Sequence, residues 1–177
     1  MDERVAGAAV FISVSGNIEP ERNLPVALDR LNTIAAVEAI STFYRTKALE
    51  RPEQPDYLNG VVAVRTEIPP RRLKFEVLRG IEAEQGRVRT DDKYAARTVD
   101  LDILLYGDTR IDEADLKVPD PDLRSRVFLS KALLELAPRI TPPGWPVPLA
   151  ETLDTTAVAE LRPDTAFTKQ VRERLLG

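Results

Sequence analysis

Asp100 and Asp102 stand one residue apart inside the run Arg97-Thr98-Val99-Asp100-Leu101-Asp102-Ile103-Leu104-Leu105-Tyr106. In an extended strand alternate side chains share a face, so Thr98, Asp100 and Asp102 are expected on one side and Val99, Leu101, Ile103 and Leu105 on the other. Carboxylates about 6 to 7 Å apart along a strand repel one another unless something positive lies beside them. A hard cation such as Mg²⁺ answers that need, because it takes oxygen ligands and is usually held by one or two carboxylates plus substrate phosphates. The plain alternative is a half-exposed antiparallel strand with acids on its wet face. Against it, the acid-bearing face continues into Leu104 and Tyr106, and Arg87, Arg89 and Arg97 lie within reach of a single loop. Guanidinium forks match phosphate oxygens bidentately and stay charged. The group therefore points to a metal and a polyphosphate.

Composition narrows the chemistry. The 177 residues, 43% hydrophobic and 31% charged, suit one soluble domain with a tail. The formal net charge of −4 argues against nucleic acid as the main partner. Cysteine and histidine are both absent. Thiolate nucleophiles, zinc thiolates and the commonest general base are thereby excluded, and carboxylates are left to do such work. Phosphoryl-type transfer tolerates that restriction, since it relies on positioning and on cations that neutralise developing charge. Met1-Asp2-Glu3-Arg4 lacks the positive start of a secretory signal, and no apolar stretch is long enough to span a bilayer. A cytoplasmic protein with no membrane partner is expected.

The elements that must position these residues follow from periodicity. Ala8–Val14 reads as a strand entering a Ser15-Gly16-Asn17 turn, and Leu24, Leu28, Leu31 and Ile34 mark a helix from Asn23. Val37–Arg45 reads as a second strand. Thr46–Leu58, with two prolines, is a long loop of the kind that often covers a site. Asn59–Glu67 is a third strand, and Leu73, Val77, Leu78 and Ile81 form the buried stripe of a second helix ending at Gly86. The charged loop 87–96 leads into the strand with the two acids. This order predicts a ferredoxin-like α+β fold, a βαββαβ antiparallel sheet with helices on one face and the other face free, occupying residues 1–140. A helix over Leu123–Leu136 follows. Residues 141–177 read as a proline-rich connector and a C-terminal helical extension, with Phe167, Val171 and Leu175 on one helix face. The same architecture serves RNA-binding modules, but those carry stacking aromatics on central strands and Asn59–Glu67 has none.

Four blocks agree in order and spacing with one family: Phe43-Tyr44-Arg45-Thr46, Gln54-Pro55-Asp56-Tyr57-Leu58-Asn59, Glu82-Ala83-Glu84-Gln85-Gly86-Arg87-Val88-Arg89 and Arg97 to Asp108. The chain from about Val10 to Pro138 resembles the 6-hydroxymethyl-7,8-dihydropterin pyrophosphokinases of folate biosynthesis. The resemblance implies transfer of the β,γ-diphosphate of ATP to the pterin hydroxymethyl group, giving AMP, with two Mg²⁺ ions. It implies that Asp100 and Asp102 are metal ligands and that Arg87 and Arg97 hold the transferring phosphates. It further implies that Glu82, Arg89, Ile103, Asp120 and Arg126 lie about the nucleotide, and that Thr46, Leu49, Tyr57, Asn59 and Phe128 receive the pterin. Taken alone, Phe128 reads as a core position and Asn59-Gly60 as a turn. A monomer acting on small molecules is expected.

Departures from the family pattern are Asp120 where a histidine is usual, Lys47 and Ala96 where prolines are usual, and Ser15 at the start of the turn. An anion at 120 opposes phosphate unless a metal or Arg126 compensates. A divergent pterin- or nucleotide-binding protein without turnover is the alternative that this substitution raises.

Overall fold

The structure, a computed structural model, describes residues 7–177. The Met1–Arg4 start lies outside the described residues. Strand β1 (Ala8–Gly16) alternates fully buried Val10, Ile12 and Val14 with Phe11, Ser13 and Ser15 on its other face. Its neighbours are β4 (Tyr57–Thr66) and β5 (Asp100–Tyr106), both antiparallel, with Ser15 opposite Asn59 on one side and opposite Asp100 on the other. The far edge of β4 is shared by β2 (Ala36–Ile40) and β3 (Tyr44–Thr46). Helix α1 (Pro20–Ile34) joins β1 to β2. Residues 70–84 join β4 to β5 as α2 (Pro70–Arg72), a π-helical segment Leu73–Leu78 and α3 (Arg79–Glu84). The strand order β5-β1-β4 with β2 and β3 beyond it is the ferredoxin-like arrangement.

One core lies between the sheet and these helices. Leu24, Leu28 and Leu31 of α1 and Leu73, Leu78 and Ile81 of the second helix pack on Val10, Ile12, Val62, Val64, Leu101 and Ile103. The second face, expected to be free, is partly covered. Helix α4 (Val127–Leu136) lays Leu129, Ala132 and Leu133 against Val61, Leu104 and Leu105. The helix expected over 123–136 is divided, because Pro121–Arg124 is a 3-10 turn whose N-cap is Asp120.

Two expectations fail for local reasons. Val37–Arg45 is not one strand: it breaks at 41–43, where tertiary partners replace the ladder. The Phe43 N–H donates to Thr168 Oγ1, its carbonyl accepts from Asp164 N–H, and the Thr42 N–H donates to Glu135. In addition, the β1–β5 register shifts between Phe11 and Ile12. That bulge reverses the alternation beyond Leu104, so Leu105 joins the acid-bearing face and Tyr106 turns into the first core, where its hydroxyl donates to the Ile68 carbonyl.

The C-terminal segment is sewn into the domain. After α5 (Thr155–Ala159), β8 (Arg162–Pro163) pairs with β3. The short hairpin of β6 (Ile111–Asp112) and β7 (Lys117–Val118) stands apart from this sheet. Helix α6 (Thr165–Leu176) buries Phe167 and Val171 in the first core, the Phe167 ring meeting Phe43 edge-on at 5.1 Å.

Candidate active site

Strand β5 is an edge of the sheet, and the site is built on that edge. An edge strand leaves every second N–H and C=O unpaired. At Leu101 the outward N–H is accepted by Glu82 at 3.4 Å and the outward carbonyl accepts from the Lys74 ammonium at 3.1 Å. The helix side of the fold thus reaches round the open edge with charged groups, and these meet the acids on the other face.

Asp100 receives two guanidinium groups, Arg87 at 2.6 Å on one oxygen and Arg97 at 2.6 Å on the other. Glu82, 1% exposed, pairs with the same Arg87 and accepts from Arg89 at 2.7 Å. Asp102 pairs with Lys74. Four cations therefore face three acids, an excess that suits a polyanionic ligand. Burial pushes the Asp100 carboxyl up, but the Arg87 and Arg97 charges more than offset this and hold it below the usual carboxylate range. At Glu82 burial wins over Arg87, and the nearby Asp100 charge adds to it, so that carboxyl is raised.

Loop 87–96 is fastened to β1 through Asn17, which is 1% exposed. The N–H groups of Asn17 and Ile18 both donate to the Arg97 carbonyl, and Asn17 Oδ1 accepts from the Arg97 N–H at 2.8 Å. The Asn17 N–H is therefore spent on the chain and not on an anion. A side chain at Gly16 would lie 2.5 Å from the Thr98 carbonyl oxygen, which is why glycine stands there. The Asn17 amide also reaches Gln54 at 3.0 Å and the Pro55 carbonyl at 3.2 Å, while Gln54 donates to the Tyr94 carbonyl. The two long loops are tied together over the acids.

Beneath them is a cavity of about 730 Å³ lined by Ser15, Thr46, Leu49, Tyr57, Asn59, Lys93, Tyr94, Arg97, Asp100, Arg126 and Phe128, among others. All five residues assigned to the heterocycle line it. Asn59 is no turn: it sits inside β4, and the following Gly60 is required because a Cβ there would lie 2.8 Å from the Phe43 ring. Phe128 faces the cavity from the first turn of α4 and is only partly buried. Other assigned residues lie elsewhere. Ile103 is 3% exposed in the core, on the face opposite the acids. Asp120 lines a second cavity, of about 560 Å³, and its carboxylate caps the 3-10 turn by accepting from the Asp122 N–H at 2.8 Å. Burial, with the Asp102 and Asp122 charges, pushes it up to about 6 against that hydrogen bond.

Sequence reasoning missed Lys74, Asn17 and Gln54 as site residues. Lys74 had a signal, since 74, 77, 78 and 81 repeat at helical spacing and place it at the head of the buried stripe. Asn17 and Gln54 act through long-range backbone contacts that no local pattern announces.

Among relatives, a Synechocystis 2-amino-4-hydroxy-6-hydroxymethyldihydropteridine pyrophosphokinase is 37% identical over 158 residues, 86% of this chain and 80% of that protein. One from Haemophilus influenzae is 38% identical over 137 residues, 76% of this chain and 84% of that protein. In fold, the chain is similar to a solved HPPK-DHPS structure in complex with substrates, with a TM-score of 0.66 and 12% identity, covering 88% of this chain and 44% of that longer one. The model of one family, 7,8-dihydro-6-hydroxymethylpterin-pyrophosphokinase, matches residues 11–138, and the chain belongs to that family.

Proposed function

We infer that this chain transfers the diphosphate of ATP to the hydroxymethyl group of 6-hydroxymethyl-7,8-dihydropterin, releasing AMP, as a step of folate biosynthesis. The observation that carries the site assignment is one mouth shared by two groups of residues. Asp100 and Arg97 open onto the same cavity as Tyr57, Asn59 and Phe128.

In this reading Tyr57 and Phe128 flank the flat pterin and Leu49 covers it. Asn59 commits its amide hydrogens to Thr46 Oγ1 at 2.8 Å and the Tyr44 carbonyl at 3.3 Å, which leaves its amide oxygen to accept from a pterin N–H. Arg87 and Arg97 exchange Asp100 for phosphate oxygens when the nucleotide arrives, and Glu82 keeps Arg87 and Arg89 aimed from behind. Arg126, paired with Asp122 at 3.4 Å, is exposed at the rim and joins them.

Among the described residues no cluster of three or more acidic, histidine or cysteine side chains could hold a metal alone. Asp100 and Asp102 with phosphate oxygens nevertheless make the donor set that Mg²⁺ commonly takes, and two ions fit two carboxylates shared with a triphosphate. When bound, Mg²⁺ neutralises charge on the transferred group and eases deprotonation of the attacking hydroxyl. On closing over the nucleotide, the loops joined by Gln54 and Tyr94 exclude water, so that the pterin hydroxyl is the nucleophile that reaches the phosphorus.

In this reading the chain is a cytoplasmic monomer. Among the described residues no helix is long and apolar enough to cross a membrane. The test is AMP formation from ATP and Mg²⁺ with and without the hydroxymethyl pterin. Pterin-dependent AMP supports the assignment, and pterin-independent hydrolysis or no AMP refutes it.

A further inference from the structure

Lys74 has no part in the reading above, yet its environment is unusual. Its side chain is 12% exposed, and lysines are rarely buried to that degree without a partner. It sits in the π-helical segment Leu73–Leu78, an element often found at functional positions. Two groups hold the ammonium: the Leu101 carbonyl at 3.1 Å and a carboxylate oxygen of Asp102. Asp100 is neutralised by two arginines, whose planar forks can move onto phosphate. Asp102 is neutralised by a compact point charge on a flexible stem, the group most like a small cation in size and hydration. An ammonium and a divalent ion compete for the same oxygen.

We propose that Lys74 is a built-in counter-ion: its ammonium holds the cation position at Asp102 in the free protein and is displaced when a divalent cation binds there. The proposal rests on the reading of Asp102 as a metal ligand. Lys74 is a positioning residue in this account. Its displacement is costly for metal alone, because the ammonium leaves a carboxylate for no new partner. With nucleotide present the incoming phosphates supply that partner, so metal and nucleotide favour each other's binding and the effect is reciprocal.

The test measures Mn²⁺ binding by the loss of its free-ion paramagnetic resonance signal, with Mn²⁺ alone and with a non-hydrolysable ATP analogue. Lys74→Met keeps the apolar stem and removes the charge, and Lys74→Arg keeps the charge. Displacing a partly exposed ion pair is worth a few-fold in affinity, so Lys74→Met is expected to bind Mn²⁺ alone about fivefold more tightly. The strengthening by nucleotide shrinks to match, while Lys74→Arg behaves as wild type. The gain disappears in Lys74→Met combined with Asp102→Ala. Urea unfolding first shows each variant to be folded. Unchanged or weaker binding in Lys74→Met, with wild type binding Mn²⁺ and analogue, overturns the role of Lys74 and leaves the metal assignment standing. If neither wild type nor Lys74→Met binds Mn²⁺ even with the analogue, the metal reading falls and the counter-ion with it.

Discussion

Asp120→Asn removes a carboxyl buried beside Asp102 and Asp122, and its effect depends on pH in a direction the structure fixes. Asp120 accepts the Asp122 N–H at 2.8 Å, and asparagine keeps an acceptor oxygen for that cap. Burial first, then the Asp102 and Asp122 charges, move the carboxyl from its ordinary 3.8 to about 6. The native state therefore prefers the neutral acid more than the unfolded chain does. The associated stability is complete below about pH 4 and is lost as the pH rises through about 6. At about 1.4 kcal/mol per unit the shift is worth about 3 kcal/mol in full, and partial exposure to water reduces this to about 1–2 kcal/mol. Asparagine carries no such dependence. Urea unfolding in EDTA, followed by the fluorescence of Trp145, the one tryptophan in the chain, reads the difference directly. The stability of Asp120→Asn relative to wild type should grow by about 1 kcal/mol between about pH 5 and pH 8, because other titrations cancel in the comparison. A constant difference, or one that grows toward acid, would refute the assignment of a raised carboxyl at 120.

Other outcomes follow from particular contacts. Glu82→Gln removes the anion that aims Arg87 and Arg89, so the KM for ATP should rise about tenfold, while urea stability falls by less than the 3 to 5 kcal/mol typical of a broken buried pair, since burial already disfavours the charged carboxyl. Equal damage to both would show that Glu82 acts only on the fold. Asn17→Ala frees the Arg97 N–H and cuts two loop contacts, at a cost of about 1–3 kcal/mol in stability, and should raise pterin-independent hydrolysis of ATP as the loops open. Gly60→Ala puts a methyl group 2.8 Å from the Phe43 ring and should lower stability by about 1–3 kcal/mol, a thermal shift of several degrees.

The sequence announced the frame through simple periods. The short apolar run 8–14 announced β1, the leucine repeat announced α1, the apolar centre 61–64 announced β4, and the glycine at 86 marked the end of the second helix. Its failures are those where distant groups override local preference. The break at 41–43 exists because Thr168, Asp164 and Glu135, far along the chain, satisfy that backbone. The bulge on β5 exchanges the sides of Leu105 and Tyr106, an effect set by pairing with β1 and invisible in residues 97–106 alone. At the site, Asp100, Arg97, Tyr57, Asn59 and Phe128 line one cavity. Ile103 does not, because a strand residue opposite the acids faces the helices. Lys74 was legible in principle, but a lysine among leucines is easily taken for a solvated helix position.

The most direct measurement is AMP formation from ATP, Mg²⁺ and the hydroxymethyl pterin by Asp100→Ala and Asp102→Ala, each first shown by urea unfolding to be folded. The account predicts a loss of at least about a thousandfold in both, on the scale of losing a preorganised charge-stabilising group. A folded variant of either residue that turns over within a few-fold of wild type would contradict it.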